Sequence, residues 1–175
     1  MLIACHLFFG TGAGLILQER FQSQYILPVC MLGSILPDLI DKPLGFLIFP
    51  SIGDGRLVAH SLIGLIVIML IAAALIRSML LPAVLCVGVL IHQLLDEMWN
   101  MPVNWLYPFL GQFPVYQQEN YFGWGLMREL TTPSEYLFAL GTLFLLINKH
   151  GGQISRTRVG LMSGTSALLL LLIGR

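Results

Sequence analysis

An all-α, polytopic helical membrane protein with about five to six transmembrane helices is the fold class this sequence predicts, and three observations carry it. Of its 175 residues 57% are hydrophobic and only 10% are charged, whereas about 25% are charged in average soluble domains. Apolar runs recur along the whole chain, and a run of about 18 such residues is the usual mark of a membrane-crossing helix. No low-complexity linker or internal repeat divides the sequence, so residues 1–175 read as a single membrane-embedded helical domain.

The first segment, Met1–Leu17, lacks the basic n-region of a signal peptide and reads as the mature start of the first span. Its GTGAG run, Gly10–Gly14, has no following Lys-Ser/Thr and no preceding strand, which indicates close helix packing by small residues and not phosphate binding. The second segment, Tyr25 to about Pro50, is interrupted by Pro37 and Pro43; a proline removes a backbone donor and kinks or ends a helix. The third, Ser61–Ile76, and the fourth, Met79 to about Leu95, are joined by a short link carrying Arg77. Between the fourth and fifth segments, residues at about 98–133 are too many for a minimal connection and hold Trp99, Trp105 and Trp124 with Tyr107, Tyr116 and Tyr121. Tryptophan and tyrosine gather at the membrane–water boundary, so this stretch is expected to lie along the interface. The fifth segment, Ser134–Ile147, opens on Glu135, a charge suited to a helix N-terminus after a Thr/Ser cap. The sixth, Val159–Ile173, contains SALLLLLIG and packs in the bundle or against lipid.

A net charge of zero supplies no global basic field, which excludes nucleic acid as a partner. Cys5, Cys30 and Cys86 are odd in number and form neither a CxxC pair nor an evident disulfide framework. Each reads as a small apolar residue in a helix. Arg20, Arg77, Lys149, Arg156 and Arg158 cluster on one side of the predicted alternation, which places that side in the cytoplasm and the chain in the cell's inner (plasma) membrane as a multi-pass protein.

On the opposite face the alternation collects His6, Asp38, Asp41, His60, His92 and Asp96, leaving His150 alone on the basic side. His92 and Asp96 are four apart, so on a helix they share a face with Cβ atoms about 5–6 Å apart; Asp38 and Asp41 share one if their turn is helical. Three imidazoles and three carboxylates suit a divalent metal ion, zinc first, with manganese, iron or nickel also fitting. Such an ion explains why LPDLIDKP, Leu36–Pro43, keeps two acids in so apolar a chain, since ion and carboxylates neutralise one another. Taken singly, each residue has a plainer account: a histidine bonded to a nearby carbonyl, Asp41 paired with Lys42 or Arg56, or a step in an ion pathway. Six together, at helical pair spacing, favour the metal. Arg56, four residues before His60, could grip an anionic substrate group or pair with Asp54 or Asp41. Glu97 lies about one residue off the Asp96 face and is not expected to be a ligand.

The order of His6, LPDLID, R-x-x-x-H-S at Arg56–Ser61, and H-x-x-x-D at His92–Asp96 followed by MPVNWLYPF resembles the family of membrane-bound metal-dependent hydrolases. That family is also described as LexA-binding, inner-membrane-associated hydrolases. The resemblance covers about residues 1–110, and it departs at Gly55, where the family has a first histidine, and at Ala59, where it has threonine. It implies a metal-dependent hydrolase that uses a metal-activated water on a lipid or other membrane-associated ester or phosphodiester. His60, His92 and Asp96 would be the core ligands, with His6, Asp38 and Asp41 completing the site or acting as base, and Arg56 orienting an anionic group. The lipid bilayer is the expected partner. Two rival readings use the same residues: a cation or proton transporter, which needs polar groups along a path to both faces, and a non-catalytic membrane protein with a closed structural metal site.

Overall fold

Apolar runs bounded by glycine, proline and polar clusters become helices, and the computed structural model shows them in the expected order. It describes residues 3–76, 78–115, 123, 127–128 and 130–150. The sixth predicted segment, Val159–Ile173, lies outside these, as do Arg77, Tyr116, Tyr121, Trp124, Arg156, Arg158 and the side chain of His150. Helix α1 spans Ile3–Phe21, α2 Ile26–Pro43, α3 Leu62–Ile76 and α4 Leu80–Leu95. A 3-10 turn at Met98–Asn100 leads into the short α5, Pro102–Trp105, and α6 covers Pro133–His150. No strand occurs among the described residues.

Helix α1 stops where Gln22 adopts a left-handed backbone, φ 54°. Pro37 does not break α2; the helix runs through it and past Pro43 into a π-helical turn at Leu44–Ile48. Helix α2 is the centre of the bundle, packed between α1 and α4, with α6 against α1 and α3 against α4. Glycines set these approaches. A Cβ on Gly33 would overlap the Leu85 carbonyl oxygen, and one on Gly88 the Cys30 carbonyl oxygen, so α2 and α4 touch backbone to backbone. A Cβ on Gly10 would strike the Ser34 hydroxyl, which identifies GTGAG as a packing surface. Around these contacts Phe8, Leu15, Leu27 and Leu145 form one buried cluster and Ile26, Cys30 and Val84 another. The three cysteines are free thiols, two of them buried in this packing.

Glu135 does more than serve its own helix. From the first turn of α6 its carboxylate accepts hydrogen bonds from the N–H groups of Ala4 (2.9 Å) and Cys5 (3.2 Å). It therefore caps the N-terminus of α1, whose opening N–H groups have no partner within their own helix.

The membrane-crossing part of the sequence expectation requires correction. No helix among the described residues is long and apolar enough to cross a membrane, which overturns the polytopic, multi-pass architecture of five to six transmembrane helices. Helices α3 and α4, free of charged side chains, have 15 and 16 residues. At ~1.5 Å rise per residue they extend about 23 and 24 Å, short of the ~30 Å hydrocarbon core of a bilayer. Helices α1 and α2 are longer but carry Glu19 and Arg20, and Asp38, Asp41 and Lys42, respectively. Apolar composition was read as span length, and the folded helices are too short or too polar for that.

Candidate metal centre

The candidate site lies where the start of α1, the end of α2, the loop before α3 and the end of α4 meet. Asp41 organises the loop. Its Oδ2 accepts from the backbone N–H of Leu57 (2.8 Å) and His60 (3.0 Å), and its Oδ1 from that of Ala59 (3.0 Å). The same Oδ2 accepts from His60 Nδ1 at 2.8 Å. Gly64 at the start of α3 leaves room for this loop, since a Cβ there would overlap the Val58 carbonyl. Gln93 of α4 donates to the carbonyls of Ala59 (3.3 Å) and Ser61 (3.1 Å), and Trp105 Nε1 donates to Gln93 Oε1 (3.1 Å). Asn104 donates to Asp54 Oδ2 (3.0 Å) and to the Arg56 carbonyl (2.7 Å).

These bonds assign the imidazole protons. An acceptor at Nδ1 of His60 places that proton on Nδ1 and turns Nε2 inward. His92 Nδ1 donates to the Ser34 carbonyl at 2.8 Å, which does the same for the second ring. The two Nε2 atoms then lie 3.0 Å apart. Two lone pairs at that distance repel unless a cation, proton or metal, lies between them. Asp38 Oδ1 completes a triangle, 3.6 Å from His60 Nε2 and 3.9 Å from His92 Nε2, and this buried oxygen has no hydrogen-bond partner. The point equidistant from the three corners lies about 2.1 Å from each, the distance at which Zn2+ takes imidazole nitrogen and carboxylate oxygen, ~2.0–2.2 Å. The spacing of these three donor atoms is that of a group able to hold a metal ion.

Around the triangle stand the remaining charges. Lys42 Nζ holds the other Asp38 oxygen at 2.8 Å. Asp96 Oδ2 accepts from Arg56 Nε at 2.8 Å, and Asp96 Oδ1 is 3.3 Å from His6 Nε2. The His6 ring lies against that of His92, centroids 4.1 Å apart. Among the described residues two groups could hold a metal ion: Asp38, His60 and His92, and His6, His92 and Asp96, with the ligand atoms of each within 4.8 Å of one another. Burial alone would lower the His60 pKa, but the neighbouring carboxylates of Asp38 and Asp41 prevail and raise it to about 9. Burial, with His6 and His60 alongside, lowers that of His92 to about 3. Burial pushes Asp38 upward, yet His60, His92 and Lys42 hold it well below the usual carboxylate range.

Of the six residues proposed as ligands from sequence, the structure brings His6, Asp38, His60, His92 and Asp96 together. Asp41 is different: both its oxygens are occupied by the loop and by His60 Nδ1. It orients the His60 ring and is not among the residues grouped to hold a metal ion. Arg56 is held by Asp96, with its N–H on Asp54 Oδ1 at 3.0 Å. Glu97, in a left-handed conformation, turns to Asn100 and away from the centre. Sequence reasoning passed over Ser34, Gln93 and Asn104, set Lys42 against Asp41 where the structure sets it against Asp38, and read Trp105 as an interface aromatic where it bonds Gln93. Of these only Gln93, next to His92, and Lys42, one turn after Asp38, carried any signal in their spacing.

Fold and site together define a protein that is helical throughout its described residues, with a His/Asp cluster able to hold a metal ion. Over residues 1–174 the chain matches the family described as YdjM inner membrane protein, and it belongs to that family. Membership supports a place at the inner membrane; it speaks for neither hydrolase activity nor binding to LexA. No curated protein and no solved structure matches the chain.

Proposed function

We propose that the protein is a metal-dependent hydrolase of the inner membrane acting on a lipid or other membrane-associated ester or phosphodiester, with zinc as its ion. The observation that supports this most is the triangle of Asp38 Oδ1, His60 Nε2 and His92 Nε2, which presents three donors to one point. A divalent ion bound there supplies a water of lowered pKa, ~7 for zinc, and polarises a scissile bond. The chain's own part is positioning. Asp41 and the Ser34 carbonyl fix which nitrogen each imidazole presents, Lys42 steadies Asp38, and Arg56 holds Asp96 while its guanidinium stays partly accessible, 23% for the side chain. A bilayer partner is supported by the apolar side chains left exposed on α3 (Ile66, Leu70, Leu75) and α6 (Leu137, Leu140, Ile147). The LexA-binding part of the resemblance has no support in this geometry and is not adopted.

The test is metal analysis of the purified chain beside a His60→Ala, His92→Ala variant, followed by turnover of phosphodiesters and phospholipid esters. Bound zinc and hydrolysis in the parent, both absent from the variant, are the expected results. Equal metal content in the two proteins refutes the site. A fully metallated parent inert to every substrate favours a structural metal.

A further inference from the structure

We propose that the centre takes one divalent ion and not two, held by Asp38, His60 and His92, with His6 and Asp96 facing its remaining position without binding it. This rests on the metal reading above and narrows it. Donor supply argues first. His92 belongs to both possible groups, but its Nδ1 is committed to the Ser34 carbonyl, so only Nε2 remains, and one imidazole nitrogen serves one ion. Assigned to the triangle, where it lies 3.0 Å from His60 Nε2, it leaves the second group with His6 and Asp96 alone. Those two already lie against each other at 3.3 Å, and the other Asp96 oxygen accepts from Arg56.

Charge argues the same way. Two of the acids nearest the imidazoles are already neutralised, Asp38 by Lys42 and Asp96 by Arg56, each at 2.8 Å. A second divalent ion would add positive charge with little left to compensate it where solvation is poor. Three protein donors would leave a position open on a four-coordinate ion, as in a catalytic zinc site and unlike a closed structural one.

The full-length chain, stripped of metal in detergent, is titrated with Co2+ and read by its visible d–d absorption and by elemental analysis. Saturation at one equivalent per chain is expected for the parent and for His6→Ala, and a change in the Co2+ spectrum on adding azide reports the open position. Two equivalents overturn the single-ion inference and leave the metal reading intact. No binding at all overturns both. Loss of Co2+ from a His6→Ala protein with unchanged helical circular dichroism places His6 among the ligands, and an azide-insensitive spectrum refutes the open position. The parent's stoichiometry decides the count even where the variant fails to fold.

Discussion

At the scale of single residues, Asp41 and His60 show how a carboxylate can orient a donor of the proposed metal site without being a ligand itself. Asp41 takes three backbone N–H groups and the His60 Nδ1 proton, so Asp41→Asn removes the charge that fixes the ring while keeping its size. Loss of such a supporting partner costs about 10–100-fold in metal affinity, and chelator competition should show a drop of that order; unchanged affinity would reject the positioning role. His60 also sets a pH dependence. Its pKa in the folded chain is about 9, against an ordinary 6.5, so in metal-free protein its proton contributes stability that is present in full below pH 6.5. That contribution is lost as pH rises through about 9. A metal ion competes for the same nitrogen, so binding releases this proton. Affinity should therefore rise about tenfold per pH unit between pH 7 and 9 and then level off, and a flat profile would show that His60 is not protonated there. His6, Asp38, His60, His92 and Asp96 do come together in the fold, but the sequence grouped them by an alternation of membrane spans that the helices do not support; only the four-residue spacing of His92 and Asp96 was a sound signal. Asp41's true role was not legible, because its partners are N–H groups of a loop whose path no spacing encodes.

At the scale of elements, helices were the legible part. Runs such as Ser61–Ile76 and Met79–Leu95 coincide with α3 and α4 to within a residue, since long apolar runs without strand alternation have few other solutions. Glycine contacts were legible for α1 and silent for α2 and α4, because a lone glycine does not announce which backbone approaches it. Gly88→Val places side-chain atoms on the Cys30 carbonyl, in backbone that cannot yield cheaply. Overpacking of this kind costs about 1–3 kcal/mol, and chemical unfolding should register it together with weaker metal binding, since the same helix pair carries the His92–Ser34 bond. Wild-type stability would contradict the close approach. Glu135→Ala removes the cap that α6 supplies to α1; lost caps cost about 0.5–2 kcal/mol, and here the loss should appear without any change in metal affinity.

For the molecule as a whole, the centre ties together parts of the chain that no local interaction joins. His6 comes from α1, Asp38 from α2, His60 from the loop before α3 and His92 from α4. The inward nitrogens and the Asp38 oxygen beside them need a cation between them, and a metal ion that displaces the His60 proton would tie the four segments together more firmly than the proton does. An ion that binds only the folded chain stabilises it by about 2.7 kcal/mol at a concentration 100 times its dissociation constant. For a chain of this length each kcal/mol moves the melting midpoint by about 2–4 °C, which predicts a fall of about 5–10 °C on treatment with EDTA. Restoring zinc should reverse it, while calcium, which needs six or more oxygen ligands, should not. The His60→Ala, His92→Ala variant should melt at one temperature whether or not chelator is present. A parent protein equally indifferent to EDTA would mean that proton sharing between the two imidazoles, and not a metal, resolves the conflict at the centre of the bundle.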